Sequence, residues 1–447
     1  MKIPEKPPDL NFLDLPDIFQ HLNEEELTLL VKEYNTRYLY WSEFKYKRIP
    51  EGITHEQLWT LLKINRNFNA ERIKISNVSG FEFKYNLTSY IQEKLHEFDL
   101  NLGGTLEGQN ITSKEDHNRY LINSIMEEAI ASSQLEGAST SRKEAKKMLR
   151  QERKPKNNSE QMILNNYKTV LKLSRMKEEK ITINSILELH RSITENTLED
   201  ASCAGKFRDS NDIYVVDKAT GKIAYTPLNH VYINQVMTDF CEFANQDNLI
   251  EFIHPEFIHP IVKATILHFL IGYIHPFVDG NGRTARAIFY WYLLSKNYWL
   301  IEYMSISRMI KESPVQYSKA YLYTEFDEND LTYFINYQLK TLDSALISFK
   351  EYVARKTQEK NQLYDFKRIE GINERQAYIL KWFSEDPEMT LTIKEIVTRL
   401  GVVYQTARTD AIKLESLGFL RKNKVDHKKF GYFRSKNFDQ LLKNLID

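Results

Sequence analysis

A mainly α-helical protein is predicted, with a helical N-terminal region, a helical middle domain holding one β-hairpin, and a small C-terminal domain of helices and strands. Three observations predict it. Apolar residues recur at helical spacing through most of the chain, as at Leu121, Ile122, Ile125, Met126 and Ile130. Strand-like runs in the middle of the chain are confined to Ile213–Val216 and Lys222–Tyr225, which flank Asp217–Gly221 and read as a hairpin with Gly221 in the turn. A length of 447 residues exceeds one compact core and argues for several.

Residues 1–115 mix short helical patterns, such as Glu24–Tyr34 and His55–Leu62, with a strand-like run over Arg72–Phe83. The glycines of Leu102–Gly108 break periodicity and mark a loop, so a boundary is placed near 115. The middle domain, 116–355, carries further amphipathic segments at Ser141–Arg150, Glu160–Lys177, Asn184–Thr194 and Asn229–Asn245. Its most apolar helix runs over Pro255–Tyr273 with Pro260 near its first turn, and a second buried helix runs from Arg283 to Leu294. The charged stretch 356–370 reads as a linker. In 371–447, helices at Glu374–Phe383, Ile393–Leu400 and Gln405–Leu417 precede the strands Gly418–Arg421 and Gly431–Arg434, which flank a basic connection.

Composition narrows the class. Lysine plus arginine and aspartate plus glutamate both number 61, so no global field draws the chain to nucleic acid or an anionic membrane. With 42% hydrophobic residues, 24 Phe and 26 Tyr, there is apolar surface enough for ordered cores. Cys203 and Cys241 are too few for a disulfide framework and fit a reducing cytoplasm. Phe257–Phe277 is interrupted by His259, Pro260, Lys263 and His268, so it reads as a buried helix of a soluble protein with no membrane partner.

The chemistry lies between the two buried helices, in the loop from His275 to Arg286. A loop feeding a helix N-terminus aims backbone N–H groups at an anion, and Gly280 and Gly282 let a phosphate approach closely. Arg283 and Arg286 stand three apart and share a helix face on which successive phosphates could be held. Asp279 supplies a hard oxygen suited to magnesium on phosphate oxygens. His275, with a reference pKa of about 6.5, can accept a proton near neutral pH and so activate a hydroxyl.

At every defined position the loop resembles the Fic signature His-x-Phe-x-Asp/Glu-Gly-Asn-Gly-Arg-x-x-Arg. The resemblance, from about Asp116 to Leu346, implies a Fic-type helical core that transfers AMP from ATP to a protein hydroxyl, with Mg2+ and ATP required. It implies His275 as general base and Asp279 as magnesium ligand. Gly280, Asn281 and Gly282 become the α-phosphate cradle, Arg283 and Arg286 the distal-phosphate contacts, and Phe277 a structural anchor. The hairpin near 213–225, after the family-like Gly205-Lys206-Phe207-Arg208, becomes a flap on which the target docks as an added strand. Self-modification and a homodimer are open to such an enzyme. Ser132-Ser133-Gln134-Leu135-Glu136-Gly137 resembles the inhibitory helix motif found upstream of many Fic cores. There Ser132, Glu136 and Gly137 would form a brake, with the Glu136 carboxylate on Arg286 denying it to the γ-phosphate. Gly282 stands where Doc-type phosphotransferases have lysine, which favours adenylyl transfer.

Other signals are weaker. His254, His259, His268 and His275 have no cysteine beside them and fit no standard zinc spacing. Tyr290-Trp291-Tyr292 suits a core better than an adenine pocket, with Tyr317, Tyr321 and Tyr323 as alternatives, and His190 reads as structural. The order of elements in 371–447 resembles a winged helix-turn-helix. Arg408, Lys413, Arg421, Lys422, Lys424, Lys428 and Lys429 could meet DNA phosphates, although Asp410 and Glu415 share the groove-entering helix. A DNA-binding regulator with a nucleotide-sensing core, or an enzyme that also removes AMP through Glu136, are the alternatives to the transferase.

Overall fold

The structure is a computed structural model that describes residues 3–10, 21–103, 114–216, 221, 223–246, 257–369, 371–426 and 429–446. It divides into two compact units, Met1–Ile347 and Ser348–Asp447.

The first unit opens with α1 (Glu24–Arg37), the short α2 (Trp41–Phe44) and α3 (His55–Asn69). Capping boxes start α1 and α3: Asn23 pairs reciprocally with Glu26, and Thr54 with Gln57, each satisfying two backbone donors that a bare helix end leaves open. The run expected as strand-like over 72–83 is two strands, β1 (Glu71–Lys74) and β2 (Glu82–Tyr85), antiparallel with Glu71 opposite Tyr85. Residues 104–108 of the glycine-marked loop lie outside the described residues. The N-terminal core is aromatic, with Tyr34, Tyr40, Trp41, Phe44 and Trp59, and it is completed by Tyr323 and Tyr333 from far along the chain. The two regions read from sequence as 1–115 and 116–355 thus share one core. Tyr40 stacks on Tyr323 at 3.9 Å between ring centroids, and the buried Lys63 ammonium pairs with Asp327 at 2.8 Å.

After α4 (Ser89–Phe98), the helices α5 (Lys114–Leu135), α6 (Arg142–Arg150), α7 (Asn158–Met176) and α8 (Ile183–Thr194) follow. The hairpin pairs β3 (Val215–Val216) with β4 (Ile223–Tyr225), Val215 opposite Tyr225; residues 217–220 and 222 lie outside the described residues. Then come α9 (Ile233–Asn245), α10 (Pro260–Ile274) and α11 (Asn281–Ser295). Pro260 sits in the first turn of α10, where a missing N–H costs nothing. Every residue from Ile261 to Ile271 is buried, and α10 and α11 pack along each other. Residues 281–282, expected as loop, already belong to α11. The helices α12 (Ile306–Glu312), α13 (Pro314–Phe326) and α14 (Thr332–Arg368) complete this part of the chain.

Residues 356–368, read as a linker, are helical as the last turns of α14. No glycine or proline interrupts Thr332–Arg368, and charged side chains are good helix formers. Residue 370 of that stretch lies outside the described residues.

In the second unit, α15 (Glu374–Glu385), β5 (Thr390–Leu391), α16 (Ile393–Leu400), α17 (Tyr404–Ser416), β6 (Leu420–Asp426), β7 (Lys429–Arg434) and α18 (Phe438–Ile446) enclose a core around Ile379, Leu380, Phe383, Ile396, Leu414 and Phe438. The sheet order is β5-β7-β6, antiparallel throughout. Most of the basic connection expected between two strands is itself strand, with Lys422 opposite Tyr432 and Lys424 opposite Phe430; Lys428 lies outside the described residues. Among the described residues no helix is long and apolar enough to cross a membrane.

Candidate active site

His275 ends α10 in the left-handed region, φ 51°, with its N–H on the Ile271 carbonyl at 3.0 Å. Its ring Nδ1 lies 3.2 Å from the Gly272 carbonyl oxygen. A carbonyl can only accept, so Nδ1 carries the proton and Nε2 keeps its lone pair. Burial pulls the imidazole pKa below its ordinary 6.5, which leaves the ring neutral near pH 7.

The backbone around His275 is held by residues remote in sequence. Arg208, 4% exposed, donates from Nε to the His275 carbonyl at 2.8 Å, and from its backbone N–H to Pro276 at 2.9 Å. The rest of its guanidinium reaches Ser210 O at 2.7 Å and the Leu228 carbonyl. The sequence contains this arginine only as part of a family-like string; nothing local announces its grip on the loop.

His190 does similar work from α8. The Gly205 N–H donates to Nδ1 at 3.0 Å, so the proton sits on Nε2, which donates to the Asp279 carbonyl at 2.8 Å. Its ring stacks on Phe277 at 3.7 Å and 2°, and Phe207 closes the other side at 5.5 Å. Phe277 is fully buried, as an anchor should be. Burial drives the His190 pKa down to about 4 from 6.5. Between those values an unfolded chain takes up a proton that the folded chain refuses, so stability falls as pH drops from about 6.5 toward about 4. At about 1.36 kcal/mol per unit, the loss is on the order of 3 kcal/mol. Melting temperature measured against pH should therefore fall less steeply below about pH 6.5 in His190→Gln than in the parent; an equal slope would mean that His190 is not buried neutral.

Gly280 caps α11 at φ 86°, and a Cβ there would run into Thr194 and His190. No side chain caps α11, so none competes for its first N–H groups. Asn281 was expected in the phosphate cradle. Its side chain closes the loop on itself, accepting from the Phe277 N–H at 2.9 Å and donating to the Phe277 carbonyl at 2.8 Å. What Asn281 can offer an anion is its backbone N–H.

The two arginines diverge. Arg283 turns to the end of α8, donating to Ile193 O at 3.2 Å and to Asp279 Oδ2 at 3.1 Å, with its Nε buried and unpartnered. Arg286 turns to α5: Nε donates to Ser132 Oγ at 2.8 Å, and one amine to Ser132 O at 3.0 Å and Glu136 Oε1 at 2.8 Å. Each is drawn by a different helix, which spacing along α11 alone could not tell.

Glu136 sits where α5 ends. Gly137 takes φ 104°, and the Glu136 and Ala138 N–H groups both fold back on Ser133 O. The turn brings the carboxylate over Gly282, so close that a Cβ on Gly282 would overlap Glu136 Oε1. A carboxylate therefore lies at the N-terminus of α11 while pairing with Arg286. Both features suit an anion.

Asp279 presents a half-exposed carboxylate beside this cradle. Among the described residues no group of three or more His, Cys, Asp or Glu gathers as a metal cage. One carboxylate fits magnesium that arrives with substrate phosphates and keeps waters for its other positions.

Of the other candidates, Tyr290 bonds Glu128 Oε2 at 2.9 Å and Trp291 bonds Met176 O at 2.9 Å; both are core residues. Tyr323 belongs to the N-terminal core. Tyr317 and Tyr321 pack against His268 and Phe269, His268 is fully buried, and His259 bonds Asp99 at 3.0 Å. His254 lies outside the described residues.

Residues 180–293 match the model of the Fic/DOC family. The chain is 34% identical over 110 residues to protein adenylyltransferase fic-1 of Caenorhabditis elegans, covering 25% of this chain and 18% of that protein. It is 35% identical over 114 residues to protein adenylyltransferase Fic of Nematostella vectensis, covering 25% of this chain and 22% of that one. The chain thus spans about a fifth of the length of the curated relatives it matches. A solved Fic family protein from Desulfovibrio desulfuricans G20 superposes with a TM-score of 0.49 at 16% identity, covering 77% of this chain and 94% of that one. The matched segment, 180–293, holds α8, the hairpin, α10 and the His275 loop with most of α11, and over that segment the chain is similar to the Fic/DOC family.

Proposed function

We propose that this chain is a protein adenylyltransferase that moves AMP from ATP to a serine, threonine or tyrosine hydroxyl of a target protein, and that Glu136 restrains it. One observation carries the reading: the Glu136 carboxylate lies over Gly282 and on Arg286, in an anion cradle adjoining His275 with its free Nε2 lone pair.

In this reading the first N–H groups of α11 take the ATP phosphates, and the bare Cα of Gly282 lets them approach. Arg283, buried against Asp279, steadies the cradle and adds positive charge to it. Magnesium, held by Asp279 when ATP is bound, would neutralise phosphate charge. Nε2 of His275 takes the proton of the target hydroxyl as its oxygen bonds to the α-phosphorus. The bond to the β-phosphate bridging oxygen breaks, pyrophosphate leaves, and the proton passes from His275 to solvent. With Glu136 in place, Arg286 is denied to the γ-phosphate and ATP binds off line. The strand pair 215–225 would hold the target segment by backbone pairing. The first test is incubation of the Glu136→Gly protein with magnesium and α-labelled ATP, alone and with cell lysate. Label on protein supports transfer; no incorporation by Glu136→Gly, together with release of AMP from a pre-labelled protein by the parent chain that keeps Glu136, would replace it by AMP removal.

A second activity belongs to the C-terminal unit, which we read as a winged helix-turn-helix over 371–447 that binds duplex DNA. Of the two acidic residues that weighed against this, Asp410 is 2% exposed and tied to Arg375 at 2.7 Å and Gln376 at 2.9 Å, and Glu415 accepts from the Lys422 N–H at 3.2 Å. The outward residues Gln405, Arg408, Thr409 and Lys413 of α17 carry positive charge without Asp410. Affinity for a labelled duplex should fall linearly with salt on logarithmic axes, with the slope reduced by about one in Arg408→Ala. Salt-independent retention would rule DNA out.

A further inference from the structure

Near the strand pair lies a carboxyl group with no cation paired to it among the described residues. Glu325, near the end of α13, has Oε2 without a hydrogen-bond partner. The residue as a whole is partly exposed, although Oε2 itself is enclosed. Burial alone, with no compensating cation, pushes its pKa up to about 8.

Its surroundings are aromatic. Glu325 lies within electrostatic reach of Tyr225, Tyr273 and Tyr321. Tyr225 belongs to β4, and its hydroxyl donates to the Tyr273 carbonyl at 2.9 Å, with the two rings 5.4 Å apart. Tyr273 stands two residues before His275, and its hydroxyl donates to Gly80 O at 3.1 Å. The turn between β1 and β2 is thereby brought to the edge of the hairpin, and Asn329 bonds the same Gly80 carbonyl at 3.2 Å.

We infer that Glu325, near Tyr225 and Tyr273, is a subsite for a lysine or arginine side chain of the target segment. A buried carboxyl without a partner costs stability, and a protein keeps one most readily where a ligand supplies the missing charge. Tyrosine faces favour a cation, and a carboxylate beside them accepts its N–H donors. When the basic side chain enters, the Glu325 proton leaves to solvent and an ion pair forms. The site lies near β4, so a segment paired with the hairpin would present a side chain to it while its hydroxyl meets His275. The inference rests on the adenylyltransferase reading for its biological use, but the binding can be tested apart from it.

The test uses the full-length Glu136→Gly protein, magnesium, α-labelled ATP and synthetic peptides. Each peptide holds one Tyr, Ser or Thr in an Ala/Gly background, with lysine walked through the flanking positions. A matched set carries norleucine, which keeps the lysine stem and drops its charge. Fluorescence anisotropy of the same peptides gives affinity without turnover, and thermal melting checks that Glu325→Gln is folded. In one register lysine should bind and label about tenfold better than norleucine. Glu325→Gln should reduce that ratio below about threefold, chiefly through KM. Equal affinity for lysine and norleucine peptides in every register overturns the subsite, as does a lysine preference that survives Glu325→Gln. If lysine peptides bind better but nothing, including the chain itself, takes label, the transferase reading fails while the subsite stands.

Discussion

His275→Ala, made in the Glu136→Gly protein, is expected to cut AMP transfer by about 10²- to 10⁴-fold, the usual contribution of a positioned general base. ATP affinity should change by less than about threefold, because in the proposed complex the phosphates rest on α11 and not on the imidazole. The pH profile provides a second readout. Burial holds the His275 pKa below 6.5, and protonation removes the Nε2 lone pair, so activity should persist through pH 6.5 and fall only as pH drops through that lowered value. The Glu136 charge favours the protonated ring, so its removal should move the acid limb lower still. Transfer by His275→Ala within about tenfold of the parent would take the histidine out of the proton-transfer step.

Glu136→Gly should raise transfer by about ten- to a hundredfold, the range expected if one charge-assisted contact of about 1.5–3 kcal/mol is returned from the brake to the γ-phosphate. The same change should destabilise the protein without nucleotide. Arg286 is almost wholly buried and would keep Ser132 but lose its carboxylate, at a cost of roughly 1–2 kcal/mol after allowing for the partial exposure of Glu136. Added ATP with magnesium should raise the melting temperature of the variant more than that of the parent, since the phosphate then supplies the missing anion. Unchanged transfer and an unchanged melting response would mean that the Glu136–Arg286 pair is structural.

Much of the site was legible from the chain. The loop is a contiguous segment whose backbone geometry follows from local chemistry. Gly280 needs φ 86°, Pro260 sits where a helix can spare an N–H, and Phe277 is apolar in a polar stretch. The apolar stripe of α5, the pairing of strands β3 and β4 and the pairing of Glu136 with Arg286 also follow, the last through family resemblance. The short β5 was not legible, since two residues cannot display an alternation. Neither was the helical character of 356–368, where dense charge suits a solvated helix as well as a linker.

By itself, then, the amino-acid sequence determined the helical class and the turn geometry of the His275 loop, through periodicity, caps and short-range turn chemistry, while the Glu136–Arg286 pairing was legible through resemblance alone. Only the tertiary structure decided how those parts are held. The contacts His190 to Asp279, Arg208 to His275 and Arg286 to Ser132 join residues 89, 67 and 154 positions apart. Tertiary packing turned Arg283 away from Arg286, closed Asn281 onto Phe277, completed the N-terminal core with Tyr323 and Tyr333, and left Oε2 of Glu325 without a hydrogen-bond partner. A side chain's local pattern states what it can donate or accept; which group it meets depends on the packing of elements that no neighbouring residue encodes.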